Sequence, residues 1–279
     1  VAWAWGAVQF EGGMLIVHGK GVVEGGVGFA APPLPVKFER RNTMALVLGD
    51  VHGRLDKVKA FLAYNPEILH VFAGDYVDSF NQSDVVIYET LKAVIESDAK
   101  LVLGNHDIHY LDGSPFKCSG YRQYMANSLN QIFEAFIDRF IPAFMEDGFV
   151  ITHGGISNGL GNSLFKTTNV SNILDTINSE WELFLKNRNH HYPMHSKIFN
   201  IPKSRGGSHS FGGIFWADYR DGRFYGVPQV FGHSKTPNGV KQIASTHWAL
   251  GCDDDKFECF NTTTKEVEDF GGGETKDAA

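Results

Sequence analysis

Five short apolar runs in this 279-residue chain break off in the same way. MALVLGD (44–50), LHVFAGD (69–75), KLVLGNHD (100–107), FVITHGG (149–155) and PQVFGHS (228–234) begin as Val-, Leu-, Ile- or Phe-rich segments and end in glycine beside Asp, Asn or His. A sixth run, QIASTHWALGC (242–252), is weaker. Apolar runs of this length, bounded by glycine, read as strands buried on both faces. The stretches between them carry helical periodicity. These are 55–64, 83–98 with Ser83 as N-cap, 121–146 with Ile132, Phe133, Phe136 and Phe140 on its apolar face, and 172–187. Pro142 should kink or end the third helix. Strands alternating with helices predict an α/β fold with largely parallel central strands. No internal repeat is present.

In such a sheet the carboxyl ends of the strands share one edge, where ligands bind. The run ends should therefore meet. They bring Asp50 and His52 (GDVHGR), Asp75 and Asp78 (GDYVDS), Asn105 and His106 (GNHD), His153 (THGG) and His233 (GHS). Taken singly, a strand-end Asp is a turn or cap residue and a histidine is a hydrogen-bonded one. Five such ends in one context point instead to a shared site. Its oxygen and nitrogen donors, without thiolate, suit Mn, Fe or Zn. They are too many for one closed tetrahedral ion. Two ions about 3.5–4 Å apart, sharing a carboxylate, would clamp the attacking and leaving oxygens of an in-line phosphoryl displacement.

Bulk properties narrow the partners. Hydrophobic residues make up 43% and charged residues 20%, enough to bury a core and stay in solution. The net charge of -7 argues against nucleic acid. Cys118, Cys252 and Cys259 are an odd count without C-x-x-C spacing, against a disulfide framework and for a reducing, cytoplasmic setting. No run approaches the roughly 18 apolar residues of a membrane span. Residues 1–43 are glycine-rich, with PPLP at 32–35, and lack strong periodicity. We read them as a disordered leader or non-native extension upstream of a native start at Met44, against the alternative of an extension that packs on the domain. The polar, basic, histidine-rich tract 186–210 reads as a solvated loop, with a substrate-facing loop as the alternative.

GDVHG, GDYVD, GNHD, HGG and GH, in that order over about 44–252, resemble the calcineurin-like metallophosphoesterases. More narrowly they resemble the branch of the serine/threonine protein phosphatases and diadenosine tetraphosphatases. The resemblance implies an α/β fold of two mixed β-sheets packed face to face with helices outside. It makes 44–270 a catalytic domain and 271–279 a flexible tail. It implies that Asp50 and His52 hold one metal, that Asp75 bridges, and that Asn105, His153 and His233 hold the second. The ions would be two divalent metals, Mn foremost, with Fe or Zn as alternatives. His106 would be the general acid and Asp78 its orienting partner, while a metal-bridging hydroxide attacks phosphorus. For Asp107 and His109 we expect a helix cap and a hydrogen bond.

The chain also departs from the pattern. The protein phosphatases usually continue GDYVD with arginine and glycine, where Ser79 and Phe80 stand here, and they usually read Asn-His-Glu where this chain has Asn-His-Asp. Another arginine should then grip phosphate, since arginine is the preferred bidentate clamp. The candidates are Arg54, directly after GDVHG, and Arg220 or Arg223 in FWADYRDGR, which is similar to the family's Trp-Ser/Ala-Asp stretch. GNHDIHYL and HWALGCDD lean towards the tetraphosphatases.

The expected activity is phosphate-ester hydrolysis of the protein-phosphatase type, with a diadenosine-tetraphosphatase-like nucleotide hydrolase as the alternative. Trp216, Tyr219, Tyr225 and Trp248 are candidates for stacking an adenine. A nuclease is disfavoured by the charge, and a non-catalytic binding module by the completeness of the ligand set. Mass spectrometry of the protein expressed from its own gene tests the leader: a native peptide from within residues 15–37 would overturn it.

Overall fold

The computed structural model describes residues 8–11, 14–17, 44–79, 81–188, 195–236, 238–251 and 255–271. The chain divides into two compact units, Val1–Arg41 and Asn42–Ala279. The first holds an antiparallel pair, β1 (Val8–Glu11) and β2 (Met14–Val17), where sequence periodicity predicted no strand. The rest of the expected leader and most of the expected tail lie outside the described residues.

The second unit begins with the predicted alternation. Strand β3 (Ala45–Leu48) leads to helix α1 (Leu55–Ala63), β4 (Leu69–Phe72), helix α2 (Asp84–Glu96), β5 (Lys100–Val102) and the single turn α3 (Asn105–Ile108). Ser83 caps α2, its Oγ accepting from the Val86 N–H. Helix α4 (Ala126–Ala135) is shorter than predicted. The chain beyond it forms a 3-10 turn and then β6 (Phe140–Ile141) and β7 (Phe144–Glu146), with Pro142 between the two strands. Strand β8 (Phe149–Thr152), the short α5 (Asn158–Leu160) and α6 (Val170–Asn187) follow, then β9 (Gln229–Phe231). The run at 242–252 is two strands, β10 (Lys241–Ala244) and β11 (His247–Ala249), paired antiparallel. Strands β12 (Glu258–Asn261) and β13 (Val267–Asp269) end the described chain.

These strands make two mixed sheets, ordered β13-β12-β3-β4-β5-β6 and β10-β11-β9-β8-β7. Pairing is parallel along β3-β4-β5-β6 and along β11-β9-β8, and antiparallel at the remaining joins. Side-chain alternation along each strand explains the layering. Ala45, Val47, Val71, Ala73 and Val102 meet Phe149, Ile151 and Val230 between the sheets. Leu46, Leu48, Phe72, Leu101 and Leu103 face the other way, into the core shared with the helices. Those helices bury matching stripes, Ile87, Leu91, Val94 and Ile95 on α2 and Ile173, Ile177, Trp181 and Phe184 on α6. No helix among the described residues is long and apolar enough to cross a membrane.

The tract 186–210 departs from its reading as a solvated loop. Residues 189–194 lie outside the described residues, but Ile198 and Phe199 are core, with the Phe199 ring stacked 5.4 Å from that of Phe215. The parallel edge also acts as expected. Strands β3, β4, β5, β8 and β9 all run into the segments that carry the predicted site residues. The fold depends on the double-sided burial of these strands. Phe72, fully buried between Phe61 and Tyr76 at 5.2 and 6.3 Å, is a direct probe. Phe72→Ala should cost about 3–5 kcal/mol in urea unfolding, and a loss under about 1 kcal/mol would contradict this packing.

Candidate metal centre

The turns that leave the strands hold side chains in backbone conformations that few residues adopt. His52, Asp75, Asp78 and His233 have φ of 45°, 54°, 63° and 63°, four of the eight described non-glycine residues with positive φ. Such a conformation costs on the order of 1–3 kcal/mol and persists only where surrounding bonds impose it. At Asp75 they do. Its carbonyl accepts the N–H groups of Val51 and His52 at 3.1 and 2.7 Å, and its own N–H donates to Asp107 Oδ2 at 2.8 Å.

Each central carboxylate is divided between two tasks. Asp50 Oδ1 accepts the His233 N–H at 2.8 Å, and Asp75 Oδ1 accepts the His106 N–H at 2.9 Å. That leaves both Oδ2 atoms turned inward, each 3.7 Å from His52 Nε2. Asp50 Oδ2 is buried with no hydrogen-bond partner among the described residues. The approach of the two carboxylates to neighbouring turns needs glycine. A Cβ on Gly104 would stand 2.0 Å from Asp75 Oδ1, and one on Gly232 would stand 2.2 Å from Asp50 Oδ1.

The histidines are fixed from behind. His52 donates through Nδ1 to the Val77 carbonyl at 3.1 Å, and His153 through Nδ1 to the Ala73 carbonyl at 2.8 Å. Both therefore present Nε2 lone pairs to the centre, an orientation that hydrogen bonds from Nδ1 usually impose on metal-binding histidines. His153 Nε2 lies 2.7 Å from Asn105 Oδ1, 3.2 Å from His233 Nδ1 and 3.3 Å from Asp75 Oδ2. Asn105 Oδ1 is 3.0 Å from His233 Nδ1. Asn105 parks its amide nitrogen on Cys118 Sγ at 3.1 Å, which turns the oxygen inward.

Electron-rich atoms packed this closely repel unless something positive lies among them. A proton can serve: burial opposes the imidazolium form, but Asp75 and Asp50 outweigh it and push His153 up to about 9. Burial also acts to raise Asp75, yet His153, His106 and His52 hold it well below the usual carboxylate range. A divalent cation answers the same need. The donor spacings match the edges of a coordination shell with bonds of about 2.0–2.2 Å. Asp50, His52 and Asp75 form one group that could hold an ion, and Asp75, His153 and His233 another, with Asp75 common to both.

Beside these groups stands a second cluster around Asp78. Its Oδ2 lies 3.0 Å from His106 Nδ1 and 2.6 Å from His109 Nε2, and its Oδ1 accepts from the Tyr110 hydroxyl at 2.6 Å. His109 Nδ1 accepts the Cys118 N–H, so its proton sits on Nε2, facing Asp78. Burial disfavours charge on His106, but Asp75 and Asp78 prevail and hold it above its ordinary value. The His106 and His52 rings are 5.2 Å apart, so this cluster borders the centre. His106, His109 and Cys118 are a third group with metal-compatible spacing, already joined by bonds to Asp78 and Asn105. Asp107 is the expected cap, accepting the Gly104 N–H at 2.8 Å.

The three candidate arginines have neighbours of their own. Arg54 is tied to Asp56 and Asp255 at 2.9 and 3.0 Å. Arg220 is chelated by Asp218 on its own turn. Arg223 lines a cavity of about 430 Å³ with Asp218, Phe211 and Phe224. Two arginines unforeseen from the sequence join these segments as well. Arg122 donates to the Ser79 carbonyl and pairs with Asp84, beside the position where the resemblance expects arginine. Arg205 shares Asp218 with Arg220. Among the stacking candidates, Trp248 packs 4.7 Å from Phe260 and Tyr225 is buried, whereas the Trp216 ring lies 5.6 Å from that of His233.

The family model described as calcineurin-like phosphoesterase matches residues 44–237. A curated relative, serine/threonine-protein phosphatase 2B catalytic subunit A2 of Saccharomyces cerevisiae, is 31% identical over 131 residues. That match covers 45% of this chain and 22% of the relative, so the chain spans under a quarter of the relative's length. Among solved structures, a cold-active protein-tyrosine phosphatase of a psychrophilic Shewanella shares the fold, with TM-score 0.50, 15% identity and coverage of 82% of this chain and 80% of that one. A proposed diadenosine tetraphosphatase aligns with TM-score 0.47 and 15% identity, over 82% of this chain and 93% of that one.

Gly104→Ala tests the close approach. Its methyl group would displace Asp75, so Mn affinity measured by calorimetry should fall by about tenfold or more. Unchanged affinity would show that the carboxylate does not need this contact.

Proposed function

This chain belongs to the calcineurin-like phosphoesterase family, and from that premise we propose that it hydrolyses phosphate esters at the centre formed by Asp50, His52, Asp75, Asn105, His153 and His233. Its cofactors would be two divalent ions, manganese foremost, with iron or zinc as alternatives. The observation that carries this reading is the pair of donor groups sharing Asp75, with the His106–Asp78 pair at their border. Divalent ions held there would supply Lewis-acid polarisation of the phosphoryl oxygens and activation of water for in-line attack.

The chain's own residues supply orientation and a proton. With Nδ1 turned to Asp78, His106 has Nε2 on the far side of its ring, where it can protonate a leaving oxygen. Asp78 favours the imidazolium form and fixes the ring, and His109 and Tyr110 fix Asp78 in turn. Asn105 adds an oxygen donor without adding negative charge beside the phosphate.

We read the substrate as protein phosphoserine or phosphothreonine. The curated relative bears that activity in its name, and two of the candidate stacking rings, Trp248 and Tyr225, are committed to packing. A dinucleotide polyphosphate is the second reading. A competition in one tube separates them: Mn-loaded protein meets a phosphothreonine peptide and diadenosine tetraphosphate, with Asp75→Asn as blank. Dephosphorylated peptide supports the first reading, and ADP with intact peptide supports the second.

Asp75→Asn should abolish turnover while unfolding stability stays within about 1 kcal/mol of wild type; near-normal activity in that variant would sink the two-metal model. His106→Asn should lower turnover by about 10²–10⁴-fold for esters with poor leaving groups and far less for p-nitrophenyl phosphate. An equal loss on both would argue against the acid role. Protonated His106 is the active form and its value lies above the ordinary 6.5. Wild-type turnover of poor leaving groups should therefore decline as pH rises through that value, and His106→Asn should lack this limb.

A further inference from the structure

Three hydrogen-bond donors near His233 are buried and find no acceptor among the described residues: Arg205 Nε, Trp216 Nε1 and Ser234 Oγ. Ser234 is wholly buried and Trp216 is 8% exposed. An indole N–H has no alternative role, since it can donate but never accept. Buried donors are almost always satisfied, so a group of orphans calls for an explanation such as an anion that arrives from outside. All three belong to the surroundings of one residue. Ser234 follows His233 in the chain, the Trp216 ring meets the His233 ring edge-on at 5.6 Å, and Arg205 pairs with Asp218, two residues beyond Trp216.

Arg205 is held ready. It ends a short turn in which its N–H and that of Gly207 both donate to the Pro202 carbonyl at 3.0 Å, while Lys203 N–H donates to His209 O. Its guanidinium pairs with Asp218, which also takes Arg220. Two guanidiniums on one carboxylate leave a positive charge uncompensated within that trio. The two arginines are not equivalent: the Arg220 side chain is 56% exposed, and the Arg205 side chain 26%.

We propose that Arg205, with the Trp216 indole and the Ser234 hydroxyl, forms an anion subsite beside His233 that receives the phosphoryl oxygens of the substrate. The subsite rests on the hydrolase reading above, and it makes Arg205, rather than Arg54, Arg220 or Arg223, the arginine that grips phosphate. Asp218 holds the guanidinium in place and leaves its Nε edge for the anion. The segment supplying Arg205 is thus the substrate-facing part of the histidine-rich tract.

The test is calorimetric titration of inorganic phosphate into the Mn-loaded full chain, with Mn affinity measured separately. Arg205→Ala should weaken phosphate binding by about 10–100-fold, the size expected for a charge-assisted hydrogen bond, and should leave Mn affinity unchanged. Arg220→Ala should change phosphate binding by less than about threefold. Arg205→Lys guards against a folding defect: it keeps the charge but loses the planar fork, and should fall between wild type and Arg205→Ala. Phosphate binding unaltered in Arg205→Ala, or a larger loss in Arg220→Ala, would overturn the subsite and leave the hydrolase reading standing. A wild-type protein that binds Mn but neither binds phosphate nor cleaves p-nitrophenyl phosphate would overturn both.

Discussion

The carboxylate of Asp107 brings no atom to the candidate metal centre, yet that cluster is built around it. It accepts the N–H groups of Asp75, Tyr76 and Gly104, each at 2.8 Å. These amides leave two neighbouring parallel strands at a buried edge, where no water can satisfy them. Asp107 reaches all three because the chain after β5 makes one helical turn and carries the side chain back over Gly104. The left-handed backbone of Asp75 is held by this bond, and Asp75 in turn accepts from the His106 N–H. One carboxylate thus sets the positions of the shared donor and of the histidine proposed as acid.

The two halves of the site are built on opposite electrostatic terms. Around Asp75, electron-rich atoms face one another and need a cation. Around Asp78, a carboxylate is surrounded by His106, His109 and Tyr110, donors that need an anion. The first half can bind metal and the second can keep an imidazole protonated. They share Asp75, which faces His153 on one side and accepts from the His106 backbone on the other.

Much of this was legible in the sequence, for local reasons. Each of the five runs carries its own evidence of a buried strand, and the parallel-sheet rule then brings their ends together without knowledge of any contact. Failures came where the signal was short or non-local. Phe136 and Phe140 extended a helical period past Ala135, but Phe140–Ile141 is a two-residue strand paired with β5, and only tertiary pairing reveals it. Strands β12 and β13 alternate weakly and carry charges at Glu258, Glu268 and Asp269. Cys118 holds Asn105 from 13 residues away, Arg122 reaches Ser79 across 43, and Arg205 meets Asp218 across 13. Nothing in the local pattern of those residues sets them apart from surface charges or a core thiol.

The four left-handed turn residues carry one more implication, for how the chain could change over generations. At His52, Asp75, Asp78 and His233 the backbone prefers glycine while the proposed chemistry requires a side chain. Glycine there would relieve local strain and remove a functional group at one stroke. In a descendant copy that no longer needed the activity the four would not be equal: at Asp75 and Asp78 glycine would strand the buried donors of His106, His109 and Tyr110, whereas at His52 it would give up the side-chain bond to the Val77 carbonyl.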